Sequence, residues 1–214
     1  MEAPSSLMLS RTRDANDHSD VDSKLQGGAV RIIGGSRRGR KLVDWEQKGI
    51  RPMRDFVRTA LFSILNDFIP GASFLDLFCG TGSVGLEALS QGADSCLFVD
   101  RAAGSCGIAR RNLEALDFLT EGRVMEADAI TMIDELARRG RKFDVVFIGP
   151  PYYHELVPAT LAALADGRIL VNDFVVVAEI HHTESAEDQV GVLKRVDTRR
   201  YGDNQLLFYR RTDG

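Results

Sequence analysis

Apolar positions recur with two alternating periods from Ser73 onward. Short runs of β-branched and aromatic residues predict strands, and stretches with apolar residues at helical spacing predict helices between them. The predicted strands are 74–78, 96–99, 123–126, 143–148 and 174–179, and the predicted helices lie at about 83–91, 102–116, 130–138 and 154–165. This alternation indicates parallel βαβ units in an α/β domain.

The last part of the chain breaks this alternation. Residues 190–196 and 205–210 both have the pattern of strands, and only the turn Tyr201-Gly202-Asp203-Asn204 and its flanks separate them. A crossover helix does not fit there, so the two strands are predicted to be antiparallel. A mostly parallel sheet that ends in an antiparallel hairpin is typical of the Rossmann-like class I fold of methyltransferases that use S-adenosylmethionine (SAM).

The first third of the chain divides into two further segments. Residues 1–28 are polar and have no sustained period, which predicts a disordered tail. In residues 29–71, two short strands flank the glycine turn Gly34-Gly35, and a helix follows in which apolar residues recur from Phe56 to Phe68. The expected domain organisation is a tail at 1–28, a hairpin and helix at 29–71, and a methyltransferase domain at 72–214.

Charge is distributed unevenly along the chain. The net charge is −4, but residues 31–60 contain nine Lys or Arg against three Asp or Glu, a local balance of +6 that leaves −10 for the rest. This contrast predicts that a basic segment is joined to an acidic domain. A merely solvated basic face is the alternative.

The remaining composition narrows the class of protein. A chain of 214 residues with 44% apolar residues can bury one core. Its apolar runs are far shorter than the roughly 20 residues that span a bilayer, and no secretory signal is evident, so a cytoplasmic protein without a membrane partner is expected. The three cysteines, Cys79, Cys96 and Cys106, lack disulfide and metal-ligand spacing. We expect them to be buried, and we predict no metal site.

A glycine-rich loop follows the first predicted strand and precedes a helix. Its sequence is Asp76-Leu77-Phe78-Cys79-Gly80-Thr81-Gly82. Glycines permit a tight turn and close approach of the backbone to a ligand, and the amides that begin the next helix face that ligand. SAM has no pyrophosphate, so a loop that carries Asp76 suits its amino-acid end and sulfonium. The predicted cofactor-binding residues here are Asp76, Phe78, Gly80 and Gly82.

Acidic residues also end the next two strands. Asp100 comes about 20 residues after the glycines, where a carboxylate can accept hydrogen bonds from both ribose hydroxyls. Asp128 follows the third strand and is predicted to accept from the adenine amino group. A surface or capping role is the alternative for Asp100, and a helix N-cap is the alternative for Asp128. Arg101 completes the predicted cofactor-binding set.

The fourth strand ends in Gly149-Pro150-Pro151-Tyr152. This tetrapeptide resembles the Asp/Asn-Pro-Pro-Tyr/Phe motif of methyltransferases that act on exocyclic amino groups of nucleobases. Together with Arg31-Ile32-Ile33-Gly34-Gly35, Gly39-Arg40-Lys41-Leu42, Arg51-Pro52, Val57-Arg58 and Leu61-Phe62, it makes the chain resemble the bacterial 16S rRNA guanine-N2 methyltransferase family. The resemblance runs from about Arg31 to Arg210.

The resemblance implies an enzyme that methylates the N2 amine of one guanine in 16S rRNA, within an assembled small ribosomal subunit, as a monomer. The implied catalytic residues are Gly149, Pro150, Pro151 and Tyr152. Tyr152 is expected to stack on the extruded guanine, and Glu179 to face the same crevice. The implied RNA-binding residues are Arg37, Arg38, Arg40, Lys41, Arg51, Arg54 and Arg58. His154, His181 and His182 fit no motif and are expected to be surface or capping residues.

Three positions depart from the family pattern. The family has Asp where this chain has Gly149, and after Arg51-Pro52 it has Thr and Arg where this chain has Met53 and Phe56, respectively. The missing side chain is the one that accepts a hydrogen bond from the target amine. A catalytically weakened or inactive SAM- and RNA-binding relative is therefore the alternative function. A DNA adenine-N6 methyltransferase is a third possibility, but the chain has no room for a separate DNA-recognition region.

Overall fold

The structure, a computed structural model, describes residues 30–43 and 53–212. The predicted tail at 1–28 lies outside the described residues. Eight strands form one sheet: β1 (Ser73–Leu77), β2 (Ser95–Asp100), β3 (Gly122–Glu126), β4 (Phe143–Ile148), β5 (Leu170–His181), β6 (Gln189–Val190), β7 (Leu193–Tyr201) and β8 (Asn204–Arg211). Five α-helices accompany them in the described ranges: α1 (Asp55–Ile64), α2 (Ser83–Ser90), α3 (Ala103–Ala115), α4 (Ala129–Arg138) and α5 (Leu156–Leu164).

The sheet has the strand order β3-β2-β1-β4-β5-β8-β7-β6. Strands β1 to β5 are parallel, whereas β8 is antiparallel to β5 and β7 is antiparallel to β8. The predicted α/β class and the antiparallel ending are therefore confirmed. The order reverses between β1 and β4, and in such sheets ligands bind beyond the carboxyl ends of the strands at that point.

Several element boundaries differ from the prediction, and the first residues of β5 and α5 do so for a local reason. Strand β5 begins at Leu170 instead of 174, and the exposed Asn172 and Asp173 within it hide the strand pattern. Helix α5 begins at Leu156 instead of 154, because Glu155 has a φ of 52° that an α-helix does not accommodate. Both differences affect the part of the sheet that flanks the fourth strand.

Each face of the sheet has its own apolar core. Helices α1, α2 and α3 cover one face, and helices α4 and α5 cover the other. Val30, Ile32 and Leu42 share the first core with Phe74 of β1, so the N-terminal segment packs directly on the sheet.

The cysteines are free and buried, as predicted. Within the described ranges, no helix is long and apolar enough to cross a membrane.

The basic hairpin is shorter than predicted. We call residues 30–43 the basic arm. Its two sides meet in a single antiparallel bridge between Arg31 and Lys41, and a 3-10 turn at Gly35–Arg37 joins them. Gly35 has a φ of 72°, and a Cβ there would lie 1.7 Å from the carbonyl oxygen of Ser90. The arm is therefore pressed against the carboxyl end of α2, where a side chain at Gly35 would not fit.

A buried carboxylate holds the basic arm in place. Glu87 of α2 accepts hydrogen bonds from the amides of Ile33 (2.9 Å) and Gly34 (2.7 Å). Its second partner is Arg58, whose Nε lies 3.5 Å from Glu87 Oε2 and whose guanidinium also donates to the carbonyls of Arg31 (2.6 Å) and Met53 (3.2 Å). A buried charge needs such partners, because leaving it unpaired is costly.

The structure corrects the prediction for Arg58. The sequence predicts that Arg58 contacts RNA, but its side chain is 1% exposed and its partners are protein groups on α1, α2 and the basic arm. The prediction is wrong because Arg58 lies on the inner face of α1, where it faces Glu87 and not solvent.

We expect Glu87→Ala to lower the free energy of unfolding by about 3–5 kcal/mol, since it leaves the amides of Ile33 and Gly34 without their acceptor and leaves the buried Arg58 guanidinium with only the carboxylate of Asp55, which is 3.0 Å away. Glu114→Ala is the matched control, because Glu114 is exposed on α3, and a surface substitution of this kind changes stability by less than about 0.5 kcal/mol. Urea unfolding of both variants measures the difference. Equal stability of the two variants would show that the buried pair does not hold the arm.

Candidate active site

A cavity of about 260 Å³ opens beyond the carboxyl ends of β1, β2, β4 and β5. It lies at the reversal of strand order, where the topology places a ligand. Eight of the residues predicted for the cofactor and catalytic sets line it: Asp76, Phe78, Gly80, Asp100, Arg101, Gly149, Pro150 and Pro151. Met53, Cys79, Phe147 and Glu179 also contribute to its wall. One cavity thus brings together the predicted glycine loop and the predicted Pro-Pro turn.

Asp76 is a buried carboxyl group at the base of the cavity. It is 1% exposed, and its Oδ2 accepts a hydrogen bond from the amide of Gly85 at 2.9 Å. Burial, helped by the nearby charge of Asp100, raises the pKa of Asp76 to about 7, although the hydrogen bond from Gly85 acts in the opposite direction. A cationic ligand in the cavity would favour its ionised form.

Asp100 ends β2 and fixes the glycine loop. Its Oδ2 accepts from the amide of Gly80 (3.0 Å), and its Oδ1 accepts from the amide of Ala102 (2.8 Å) beside the start of α3. Asp100 therefore caps the start of α3 and also lines the cavity. Each carboxylate oxygen has a further lone pair, so hydroxyl groups in the cavity can still donate to it.

The loop turns tightly because several of its residues have positive φ. Phe78, Gly80 and Gly82 have φ angles of 64°, 54° and 80°. Gly82 is the N-cap of α2, and a Cβ there would lie 3.3 Å from the ring of Phe98, so the helix packs closely on β2. Gly82 does not line the cavity. Gly82 shapes the turn, and Gly80 within this turn lines the cavity.

Asp128 lies outside the cavity wall and caps a helix. Its Oδ1 accepts from the amides of Ile130 (3.0 Å) and Thr131 (3.1 Å) at the start of α4. This geometry matches the alternative that the sequence offers for Asp128. An adenine contact by Asp128 stays a prediction.

The Pro-Pro turn follows β4 and forms the opposite wall. The amide of Gly149 donates to the carbonyl of Leu77 at 3.3 Å, which ties this turn to the end of β1. A Cβ at Gly149 would lie 2.6 Å from Cε1 of Phe147. The ring of Phe147 thus fills space that the family's Asp side chain would enter. A larger residue at 149 requires this ring to move.

Tyr152 joins the turn to the antiparallel strands. Its hydroxyl donates to Oε1 of Glu179 on β5 at 3.0 Å, and Asn204 on β8 donates to the Tyr152 hydroxyl at 2.7 Å. Asn204 also donates to Glu179 Oε1. Sequence reasoning misses Asn204, because nothing in the predicted turn before β8 indicates that it meets Glu179.

A second group of residues lies next to Tyr152, and the sequence does not predict that its members meet. The ring of His181 lies 5.7 Å from the ring of Tyr152 and 5.2 Å from that of Tyr153, centroid to centroid. His181, His182 and Asp203 each offer a ligand-type atom within 4.8 Å of the others, although the sequence predicts no metal site. Their proximity depends on the pairing of β5 with β8, which no local motif records.

The predicted RNA-binding residues separate into distinct groups. Arg37 and Arg40 donate to the carbonyls of Leu116 and Ala115, respectively, at the carboxyl end of α3, where the helix dipole favours cations. Arg38, Lys41 and Arg54 are exposed, and the described residues provide none of them with an ion-pair partner. Arg51 lies outside the described residues, and Arg58 is buried.

The two departures from the family near α1 have different positions. Met53 is buried at 6% exposure and lines the cavity. Phe56 is 52% exposed, and its ring lies edge-on to that of Tyr201 at 6.4 Å. The cavity wall is therefore apolar at Met53, where the resemblance implies Thr, and the Arg that the resemblance implies at position 56 is replaced by an exposed aromatic ring.

Comparison with known proteins identifies the family of this chain. The model of the family described as "Conserved hypothetical protein 95" matches residues 30–210. The chain belongs to this family. It is 36% identical over 156 residues to the protein named "Ribosomal RNA small subunit methyltransferase D" of Escherichia coli strain K12, and the match covers 71% of this chain and 75% of that protein.

Solved structures show the same architecture. A hypothetical protein of Thermus thermophilus has a TM-score of 0.73 and 28% identity, with 84% of this chain and 98% of that chain covered. A structure titled a SAM-dependent methyltransferase from Agrobacterium tumefaciens has a TM-score of 0.58 and 16% identity, with coverages of 79% and 66%, and it shares the fold alone. The family member described here thus has a Rossmann-like methyltransferase fold.

Ionisation of Asp76 should make the ligand-free protein less stable as the pH rises. The pKa of Asp76 is about 7 in the folded protein, and its ordinary value is 3.8. Between these two values the folded protein keeps a proton that the unfolded chain releases, so the free energy of unfolding falls with rising pH and levels off above about pH 7. Asp76→Asn keeps an acceptor for the Gly85 amide but has no carboxyl group to ionise, so it removes this pH dependence of the free energy of unfolding. Urea unfolding at several pH values between about 4 and 8 compares the two proteins, and parallel curves would contradict the assignment.

Proposed function

We propose that this protein transfers a methyl group from SAM to the exocyclic N2 amine of a guanine in 16S rRNA. The observation that carries the proposal is the shared cavity, in which Asp76 and Asp100 face the Pro-Pro turn and Glu179. The name of the Escherichia coli relative supports small-subunit rRNA as the substrate. We further propose that the protein acts as a monomer on an assembled small subunit.

The cavity suits a cationic cofactor. Asp76 is buried with a pKa of about 7, and the described residues supply it with no cationic partner. SAM carries an ammonium and a sulfonium, and when bound it supplies an electrophilic methyl group. In our proposal Asp76 and the loop at Gly80 bind the amino-acid end, and Asp100 accepts from the ribose hydroxyls.

Catalysis in this site depends on orientation. The guanine is extruded from its stack, and Tyr152 and Glu179 hold it against the Pro-Pro turn. The backbone carbonyls of Gly149 and Pro150 accept hydrogen bonds from the N2 amine, which aims the nitrogen lone pair at the methyl carbon. Bound SAM would supply the methyl group and retain the electron pair of the S–C bond on sulfur, and the proton of the methylated amine would leave to water. Placing the two reactants in line supplies most of the rate increase.

Gly149 supports the alternative that transfer is weakened or lost. No side chain is present at this position, and Phe147 occupies the adjacent space. A protein that binds SAM and small subunits but transfers no label from SAM would fit the alternative and not the main proposal. Transfer of label to unmodified small subunits, followed by identification of the modified nucleoside, distinguishes the two.

We expect Gly149→Asp to increase methyl transfer by roughly 10²-fold, the effect of one positioned hydrogen-bonding group in a catalytic site. The gain requires the Phe147 ring to move, because a Cβ at 149 comes within 2.6 Å of it. Gly149→Ala is the matched control, since it meets the same ring without adding a carboxylate. Initial rates with unmodified small subunits measure the effect.

The two variants separate steric from chemical effects. A gain in Gly149→Asp and none in Gly149→Ala supports the carboxylate. If both variants are slower than the unchanged protein, the backbone carbonyls are the better acceptors in this site and our account of the turn is wrong.

Removal of two exposed cations from the basic arm should weaken RNA binding. Arg38→Ala/Lys41→Ala is expected to lower affinity for small subunits and to reduce the salt slope by about 1 to 2, because each phosphate contact contributes roughly 0.7 to 0.9. The control is Arg123→Ala/Arg141→Ala, which removes two exposed arginines near the amino ends of β3 and β4. Binding isotherms across a salt series measure both. If the salt dependence of binding is the same in the two double variants, the basic arm is a solvated face that does not contact RNA.

A further inference from the structure

Four aromatic side chains form a contiguous cluster that extends from beside the cavity to the exposed Tyr153. We call Tyr152, Tyr153, His181 and His182 the aromatic ladder. The ring centroids are 6.3 Å apart for Tyr152 and Tyr153, 5.2 Å for Tyr153 and His181, and 4.4 Å for His181 and His182. Tyr152 lies at the inner end, where its hydroxyl contacts Glu179 in the cavity wall. The ladder therefore leads outward from the place proposed for the target base.

Tyr153 is the most exposed residue of the aromatic ladder. Its side chain is 64% exposed, although Tyr is an aromatic residue that proteins generally cover in part. Its φ is 63°, an unfavourable conformation for a residue with a bulky side chain. Strain of this kind persists only where the surrounding structure imposes it, and it is concentrated at functional sites.

One carboxylate imposes this conformation. Glu184 accepts from the amide of Tyr153 at 2.8 Å and from the amide of His181 at 2.9 Å. The loop after the Pro-Pro turn is thus tied to the end of β5. The ring of His181 is fixed as well, because its Nδ1 lies 2.7 Å from Oγ1 of Thr183. Two rings are held side by side at the surface before any ligand binds.

We propose that Tyr153 and His181 form a stacking site for the unpaired RNA base next to the target guanine. This inference rests on the proposed function, because it assigns the neighbouring nucleotide of the same substrate. An extruded base leaves its neighbour without a stacking partner, and aromatic side chains replace such a partner without regard to sequence. A ring fixed in advance also loses little conformational freedom on binding. Tyr153 is accordingly a positioning residue that secures the strand while Tyr152 holds the target.

The test compares RNA binding by three variants. Tyr153→Ala removes the ring, Tyr153→Phe keeps it, and Leu119→Ala changes another apolar residue that is also 64% exposed, in the connection between α3 and β3. The probes are a short single-stranded RNA and an abasic strand with the same number of phosphates. Buffers contain EDTA, so that a cation at His181, His182 and Asp203 does not supply affinity.

We expect Tyr153→Ala to bind the RNA about 10-fold more weakly than the unchanged protein, while Tyr153→Phe and Leu119→Ala stay within about 2-fold. The abasic strand should bind all four proteins equally. In methyl transfer, Tyr153→Ala should raise KM for small subunits more than it lowers kcat. Unchanged RNA affinity in Tyr153→Ala, or an equal loss with the abasic strand, overturns the stacking site.

The outcome also separates this inference from the proposed function. If the unchanged protein methylates small subunits and Tyr153→Ala does so with the same KM, the stacking site is wrong and the proposed function stands. If neither the unchanged protein nor Gly149→Asp transfers methyl groups to any RNA, the proposed function fails. In that case, a base-dependent loss of affinity in Tyr153→Ala would still identify an RNA-binding surface.

Discussion

The buried ion pair between Glu87 and Arg58 determines how the N-terminal segment sits on the sheet. Two charges are buried in an apolar core, where each compensates in part for the lost hydration of the other; backbone amides also bind Glu87, and backbone carbonyls and Asp55 also bind Arg58. Arg58 contacts the carbonyl of Met53, which lines the cavity, and the carbonyl of Arg31 in the basic arm. The same pair thus fixes one wall of the site and the direction of the arm.

The two halves of the site are built by different means. The proposed cofactor half consists mainly of a tight backbone turn, and Asp76 and Asp100 hold its amides. The proposed substrate half depends on side chains from separate strands, with Tyr152, Glu179 and Asn204 in one hydrogen-bonded group. A local turn tolerates few substitutions, because its φ angles are restricted. A side-chain group from distant segments can change one member at a time.

Gly149 illustrates this difference. The position lacks the side chain that the family pattern supplies, and the ring of Phe147 has taken the adjacent space. The turn itself is kept, because its prolines and its bond to Leu77 do not involve the missing carboxylate. Activity and architecture are therefore separable here: the fold needs the turn, whereas the proposed reaction needs an acceptor for the target amine.

The sequence by itself determined the strand and helix order, the antiparallel ending, the glycine loop and the Pro-Pro turn, because these features depend on local periodicity and on backbone preferences of short segments. Tertiary structure decided the rest. The resemblance implied an RNA contact for Arg58, but its side chain is buried against Glu87, 29 positions away in the chain. His181 meets Tyr153 only through β-sheet pairing and Glu184. Contacts between distant segments leave no periodic trace, so packing alone reveals them.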